Sequence, residues 1–182
     1  MIWVILAVLV LLVIWFVATY NGFVSLRNRV DEAFSTMDVY LVKRYDLIPN
    51  LVETVKGYTK HESETLEKVI KARNAAVSAT TPAEKLESET ELAGTLSRLF
   101  ALTEAYPELK ANTNFMNLQD QLNKMEGEIA NARKYYNGVV KTFNTKCETI
   151  PSNIIAGICG FVKQPMFVVQ DESQRDSVKV QF

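Results

Sequence analysis

The stretch HESET, residues 61–65, is where catalytic chemistry would first be sought. His61 is the only histidine, and His61 followed by Glu62 resembles the first half of a zinc-binding HExxH helix. Such a site needs a second imidazole four residues on, so that both face one metal. Thr65 stands there instead, and polar contacts on a helix are the plainer role for His61 and Glu62. A Ser-His-Asp arrangement would need His61 as its base, and no Gly-x-Ser-x-Gly turn accompanies it. Cys147 follows Lys146, but a thiol nucleophile also needs a histidine placed beside it. Gly57, Gly94, Gly127 and Gly138 are scattered and make no phosphate-cradling loop. No enzyme, no metal and no cofactor is expected.

Two other polar groupings stand out. Residues 44–62, RYDLIPNLVETVKGYTKHE, set Pro49 inside a helical pattern, with Asp46 and Asn50 around it and Arg44 just before. These four residues are expected to form a bend network, with Arg44 pairing across the bend. A reversal of the chain at Pro49 is expected in preference to a kink. Asn137 and Asn144 are seven apart, with Arg133 one turn before Asn137. Asparagines near a helical seam can fix register; a polar stripe for a partner is the alternative.

The elements that would carry these groups begin with an anchor. Residues 1–18, MIWVILAVLVLLVIWFVA, contain no polar side chain, and Thr19 and Tyr20 extend them. That length just spans a hydrocarbon core of about 30 Å. Trp3 and Trp15 lie near the two ends, where aromatic rings prefer the interface. A cleaved signal peptide would begin with positive charge and carry a small-residue cleavage site; an uncleaved transmembrane helix is expected instead. Arg27 and Arg29 follow the span, which places the body in the cytoplasm by the positive-inside rule. A periplasmic body is the alternative.

The rest has an ordinary globular balance, with 23% charged and 48% apolar residues. A net charge of −1 leaves no basic footprint for nucleic acid. Only 7 glycines and 5 prolines favour long helices over a turn-rich β fold. Cys147 and Cys159 are too few for a disulfide scaffold and read as small buried apolar side chains.

Apolar residues then recur at helical spacing. Phe115, Leu118, Leu122, Met125, Ile129, Ala132, Tyr136, Val139 and Phe143 step by three and four, a heptad seam packed along its length. Pro82 starts an earlier helix with Thr81 as its cap. Breaks are expected at residues 46–50, 80–84, 107–114 and 149–153. They leave four pieces of similar length, as an antiparallel up-down four-helix bundle requires. An extended coiled coil is the second choice. After the bundle, residues 154–162, IIAGICGFV, form an apolar run that would cap the bundle, touch another subunit or dip into the bilayer interface. The tail is strand-like, with Val178, Val180 and Phe182 at alternate positions.

Several long motifs together resemble one family. YNGFVSLRNRVDEAF, DVYLVKRYDLIPNLVETVKGYTKHE, YPELKANTNFMNLQDQL, ARKYYNGVVKTFN and IPSNIIAGICGF occur in order over nearly the whole chain. They are similar to the LemA family of bacterial membrane proteins, as is the closing VKVQF. Met166-Phe167-Val168 departs from the family's more usual aromatic pair followed by acidic residues. The resemblance implies one N-terminal transmembrane helix, a helical-bundle body and no catalytic residues. It also implies membrane organisation, since a relative takes part in forming magnetosome membranes, or a partner role to membrane metalloproteases in quality control.

The expectation is therefore an all-α chain. Residues 1–20 would be the transmembrane helix, 21–149 the bundle, 150–163 an apolar post-bundle segment and 164–182 an extended tail. It would be a non-enzymatic scaffold on the bacterial cell membrane, touching membrane lipid and assembling as a homo-oligomer; a membrane protease adaptor is the alternative. Ile154, Ile155, Ile158, Phe161, Phe167, Val178, Val180 and Phe182 would make the oligomer or lipid contacts.

Overall fold

The computed structural model describes residues 1–59 and 61–167. Among these the regular structure is entirely helical: α1 (Ile2–Lys56), α2 (Ser63–Ser78), α3 (Pro82–Thr103), the single turn α4 (Pro107–Lys110), α5 (Thr113–Glu148) and α6 (Ser152–Cys159). Val178, Val180 and Phe182 lie outside the described residues.

The 55 residues of α1 extend about 80 Å at 1.5 Å per residue. Residues 1–18 are exposed throughout, and this is one helix long and apolar enough to cross a membrane. From Phe23 onward the same helix enters the core, burying Val30, Ala33, Met37, Leu41, Ile48, Leu51 and Val55. No loop separates span from body.

The expected reversal at Pro49 does not occur: α1 runs through it. Proline has no N–H, so the carbonyl four residues earlier loses its helical donor. That carbonyl belongs to Tyr45, and Arg73 Nε of α2 donates to it at 3.3 Å. The break expected at residues 46–50 is absent, and Leu51, Val52 and Val55 continue the buried stripe of α1. The chain first turns after Lys56, where the Thr59 hydroxyl donates to the Val55 carbonyl.

From there α2 returns along α1. At its end Thr81 caps α3 with Pro82 in the first turn, as the sequence predicts, and Glu84 completes a capping box. Asn112 Oδ1 then accepts from Phe115 N at 2.9 Å and starts α5. Along α5, Phe115, Leu122, Ile129, Tyr136 and Phe143 are all buried, one residue per heptad. Contacts fix the direction of α5 against α1. Asn112 donates to Tyr58 Oη at one end, and the Phe23 and Phe143 rings meet 6.1 Å apart at the other. The last long helix thus returns to the end where the apolar span meets the body.

Candidate functional site

Three polar or aromatic constructions organise the body. The first is a charged belt halfway along it. Arg44 lies on the seam between Leu41 and Ile48 and is fully buried. It donates to Glu89 of α3 and, at 2.6 Å, to Glu126 of α5. Glu89, 1% exposed, also accepts from the Tyr45 hydroxyl and from Arg133 at 3.1 Å. Lys85 reaches Asp38 beside them. Burial opposes the charge on Arg44, but Glu89 and Glu126 outweigh it and hold the guanidinium's pKa above its usual value. Burial pushes the Tyr45 phenol well up, and the neighbouring Glu89 carboxylate adds to this. One carboxylate thereby joins α1, α3 and α5. The expected bend network is not what Arg44 serves: Asp46 and Asn50 are exposed, and the partners of Arg44 come from other helices.

The second construction is a strap. After α6 the chain passes back along α5 in extended form, held by the two asparagines singled out in the sequence. Asn144 Nδ2 donates to the Gln164 carbonyl at 2.9 Å, and its Oδ1 accepts from Gln164 N at 2.8 Å. Asn137 makes the same pair with Phe167, at 2.7 and 2.8 Å. A carboxamide that gives and takes one bond copies a peptide group, so each asparagine offers one rung of a β ladder. Between the rungs the Tyr136 hydroxyl donates to the Pro165 carbonyl at 2.9 Å. Arg133 sits 5.5 Å over the Phe167 ring, linking strap to belt.

The third is an aromatic collar where the span meets the body. Phe161 stacks on Phe23 at 4.7 Å with a 14° tilt. Tyr20 lies 5.8 Å from Phe161 on one side, and Arg27 sits 5.7 Å over it. Lys146 crosses the other Phe23 neighbourhood, 4.9 Å from that ring. It can do so because residue 22 is glycine: a β-carbon there would stand 2.1 Å from Lys146 Nζ. The collar is closed by α6. Its positive-φ cap Gly160 turns the chain so that Phe161 N donates to the Ala156 carbonyl at 2.9 Å.

The residues expected to make oligomer or lipid contacts divide within this collar. Ile155, at 1% exposure, faces the body, as does Phe167; Phe161 is half-buried in the aromatic stack. Ile154 and Ile158 are 57% and 70% exposed, and Ile150 and Val162 beside them are exposed too. His61 is exposed in the α1–α2 connection, and the Tyr106 hydroxyl reaches Glu62 at 3.5 Å. Both cysteines are free thiols, and burial raises the pKa of Cys147. Among the described residues no three His, Cys, Asp or Glu side chains cluster in a way that would hold a metal ion.

Sequence reasoning missed Tyr45, Glu89, Glu126 and Arg73. A signal was present for one of them, Glu89, of the same kind as for Arg44. Arg44 falls three after Leu41 and four before Ile48, and Glu89 falls three before Leu92. Both are charges on a seam, which a buried pair explains.

The LemA family model matches residues 33–182. A protein LemA of Metamycoplasma hominis is 27% identical over 145 residues, 78% of this chain and 65% of the relative. This chain therefore spans less than two thirds of that protein's length. Magnetosome protein MamQ 2 of Paramagnetospirillum magneticum is 25% identical over 188 residues, covering 87% of this chain and 69% of the relative. Magnetosome protein MamQ of Magnetospirillum gryphiswaldense is 23% identical over 192 residues, covering 89% and 71%.

Proposed function

The chain belongs to the LemA family, and we propose that it is a non-enzymatic single-pass membrane protein that self-associates into a membrane-bound scaffold. The working form of the body is an antiparallel four-helix bundle that organises or remodels the membrane carrying it. One observation carries this reading: α1 passes from an exposed apolar span into the buried core at Phe23 without a break. A body joined this way cannot swing on a linker as a tethered enzyme domain would. It stands at a fixed pose on the bilayer, and repeated copies would impose a geometry on it. The likeness to proteins named magnetosome proteins supports a membrane role. Arg27 and Arg29 favour a cytoplasmic body.

The test is the size of full-length protein extracted in detergent over a range of concentrations. Oligomers that persist on dilution are the expected result; a monomer at every concentration overturns the scaffold. The second reading, an adaptor for a membrane protease, draws on a different feature. A groove of about 670 Å³ opens between α1 and α2, with Val52, Leu66 and Ile70 inside and Glu53, Lys56 and Lys71 at its edges. It suits an amphipathic helix of a partner. That reading predicts stoichiometric co-purification of a protease, lost with Leu66→Glu, and little self-assembly.

A further inference from the structure

We propose that α6 is a second membrane contact, an interfacial helix lying in the headgroup region of the leaflet where α1 leaves the bilayer. The inference rests on the reading that the apolar start of α1 spans the membrane; it does not rest on self-association.

Its position comes first. Residues 2–20 of α1 are 19 positions long, about 28 Å of helix, so the hydrocarbon boundary falls close to Tyr20. Tyr20 is the residue whose ring meets Phe161, directly after α6. Meanwhile α5 descends past Gly22, which Lys146 crosses, and the strap climbs away again to Asn144 and then Asn137. The chain therefore reaches its lowest point, nearest the bilayer, at α6.

Its faces come next. Ile155 and Ala156 are buried against the body. The opposite side presents Ile154 and Ile158, one helical turn apart, flanked by Ile150 at 84% exposure and Val162 at 68%. Ile154 and Ile158 lie on α6 itself, Ile150 in the turn before it and Val162 beyond its Gly160 cap. No charge lies in α6 itself. An apolar stripe of this kind facing water is costly, and it adjoins the one surface already committed to lipid.

The surroundings suit the headgroup layer rather than a protein neighbour. Arg27 and Lys146 lie over the aromatic rings of the collar, and Lys163 reaches Glu148. Cations and aromatic rings at the edge of an apolar surface are the usual furniture of a membrane interface. The occupant of the stripe is thus phospholipid, and α6 with α1 gives the body two attachments to one leaflet. Two attachments fix its rotation as well as its height.

The experiment uses full-length protein with Cys147→Ala and Cys159→Ala, checked for native helicity, in vesicles of phosphatidylcholine and phosphatidylglycerol. A polarity-sensitive fluorophore is placed singly at Ile154→Cys, Ile158→Cys, Leu11→Cys and Val77→Cys. Lipids spin-labelled high on the acyl chain should quench the labels at 154 and 158 by roughly half or more, while aqueous iodide quenches chiefly the label at 77. The label at 11 should respond to lipids spin-labelled deep in the chain. Labels at 154 and 158 that iodide reaches as easily as the one at 77 overturn the proposal, and so does protection from both quenchers, which would mean coverage by a second copy. In either case a label at 11 still quenched by deep spin label leaves the spanning reading standing. A label at 11 without that response removes both. As a check in the protein with its native cysteines, Ile154→Glu with Ile158→Glu should leave the protein in the membrane through α1 while exposing α6 amides to exchange. Unchanged exchange there would also overturn the proposal.

Discussion

The charged belt and the aromatic collar both join α1 to α5, and they do it by opposite means. The belt closes around Arg44 and Glu89, which are 0% and 1% exposed. The collar closes around Phe23 and Phe161, whose rings stack without hydrogen bonds or formal charge of their own. A buried ion pair is often no more stabilising than well-packed apolar residues, yet breaking it is severe. Aromatic packing loses its contribution more gradually as atoms are removed. On that basis the belt is expected to set which helices meet and in what register, and the collar to supply adhesion where the exposed apolar part of α1 joins the core.

The largest test of that contrast is Glu89→Ala. It strands Arg44 without its α3 partner in the core and should cost about 3–5 kcal/mol in denaturant unfolding of the detergent-solubilised protein. Replacing Arg44, Tyr45 and Glu89 together with Met, Phe and Leu should cost much less. If the triple variant is as damaged as the single one, the belt contributes adhesion after all and the contrast fails.

On the collar, Phe23→Leu should cost about 1–2 kcal/mol and leave the helix register intact. Gly22→Ala is its sharper companion. The added methyl meets only the end of a flexible lysine, so the body should stay folded while Lys146 leaves the Phe23 face. A loss of fold from either change would mean that the collar specifies structure as the belt does.

These two regions also differ in how far the sequence disclosed them. The heptad of α5 was plain because Phe115, Leu122, Ile129, Tyr136 and Phe143 repeat at an interval the helix itself imposes. The anchor and the Thr81 cap were equally local. The belt was hidden because Arg44 and Glu89 are 45 positions apart, and no pattern within either helix names the other. Asn137 and Asn144 drew notice by spacing, but their partners are main-chain groups of residues 164 and 167, which carry no side-chain signature. In α6 both faces are apolar, so periodicity could not separate buried Ile155 from exposed Ile154.

Pro49 was misread for a related reason, and it supplies a smaller test at the upper edge of the belt. The missing N–H is local and visible in the sequence; the guanidinium that replaces it comes from α2. Arg73→Met should cost about 1 kcal/mol in the native background, the usual net value of one hydrogen bond. In a Pro49→Ala background the helix again has its own donor for the Tyr45 carbonyl, and Arg73→Met should then cost almost nothing. Equal costs in both backgrounds would show that Arg73 acts through packing and leave the unbroken helix without this support.

The last test is the belt's own share of an alkaline pH dependence. Burial, followed by the charge of Glu89, holds the Tyr45 phenol's pKa above its value in the unfolded chain. A raised folded-state pKa contributes stability that is fully present below the unfolded value, about 10, and is lost as pH climbs past it. The unfolded chain then releases a proton that the folded chain keeps. Urea midpoints taken near pH 8 and near pH 11 should therefore fall more steeply for the native protein than for Tyr45→Phe. Burial, with Asp31 second, also raises the Tyr136 phenol, but that residue is present in both proteins and drops out of the difference. Phe23→Leu, altering only the collar, should keep the native slope. A Tyr45→Phe protein with the same alkaline slope as the native one would mean that the belt opens before its tyrosine titrates, and that its geometry is less rigid than the closed cluster around Glu89 implies.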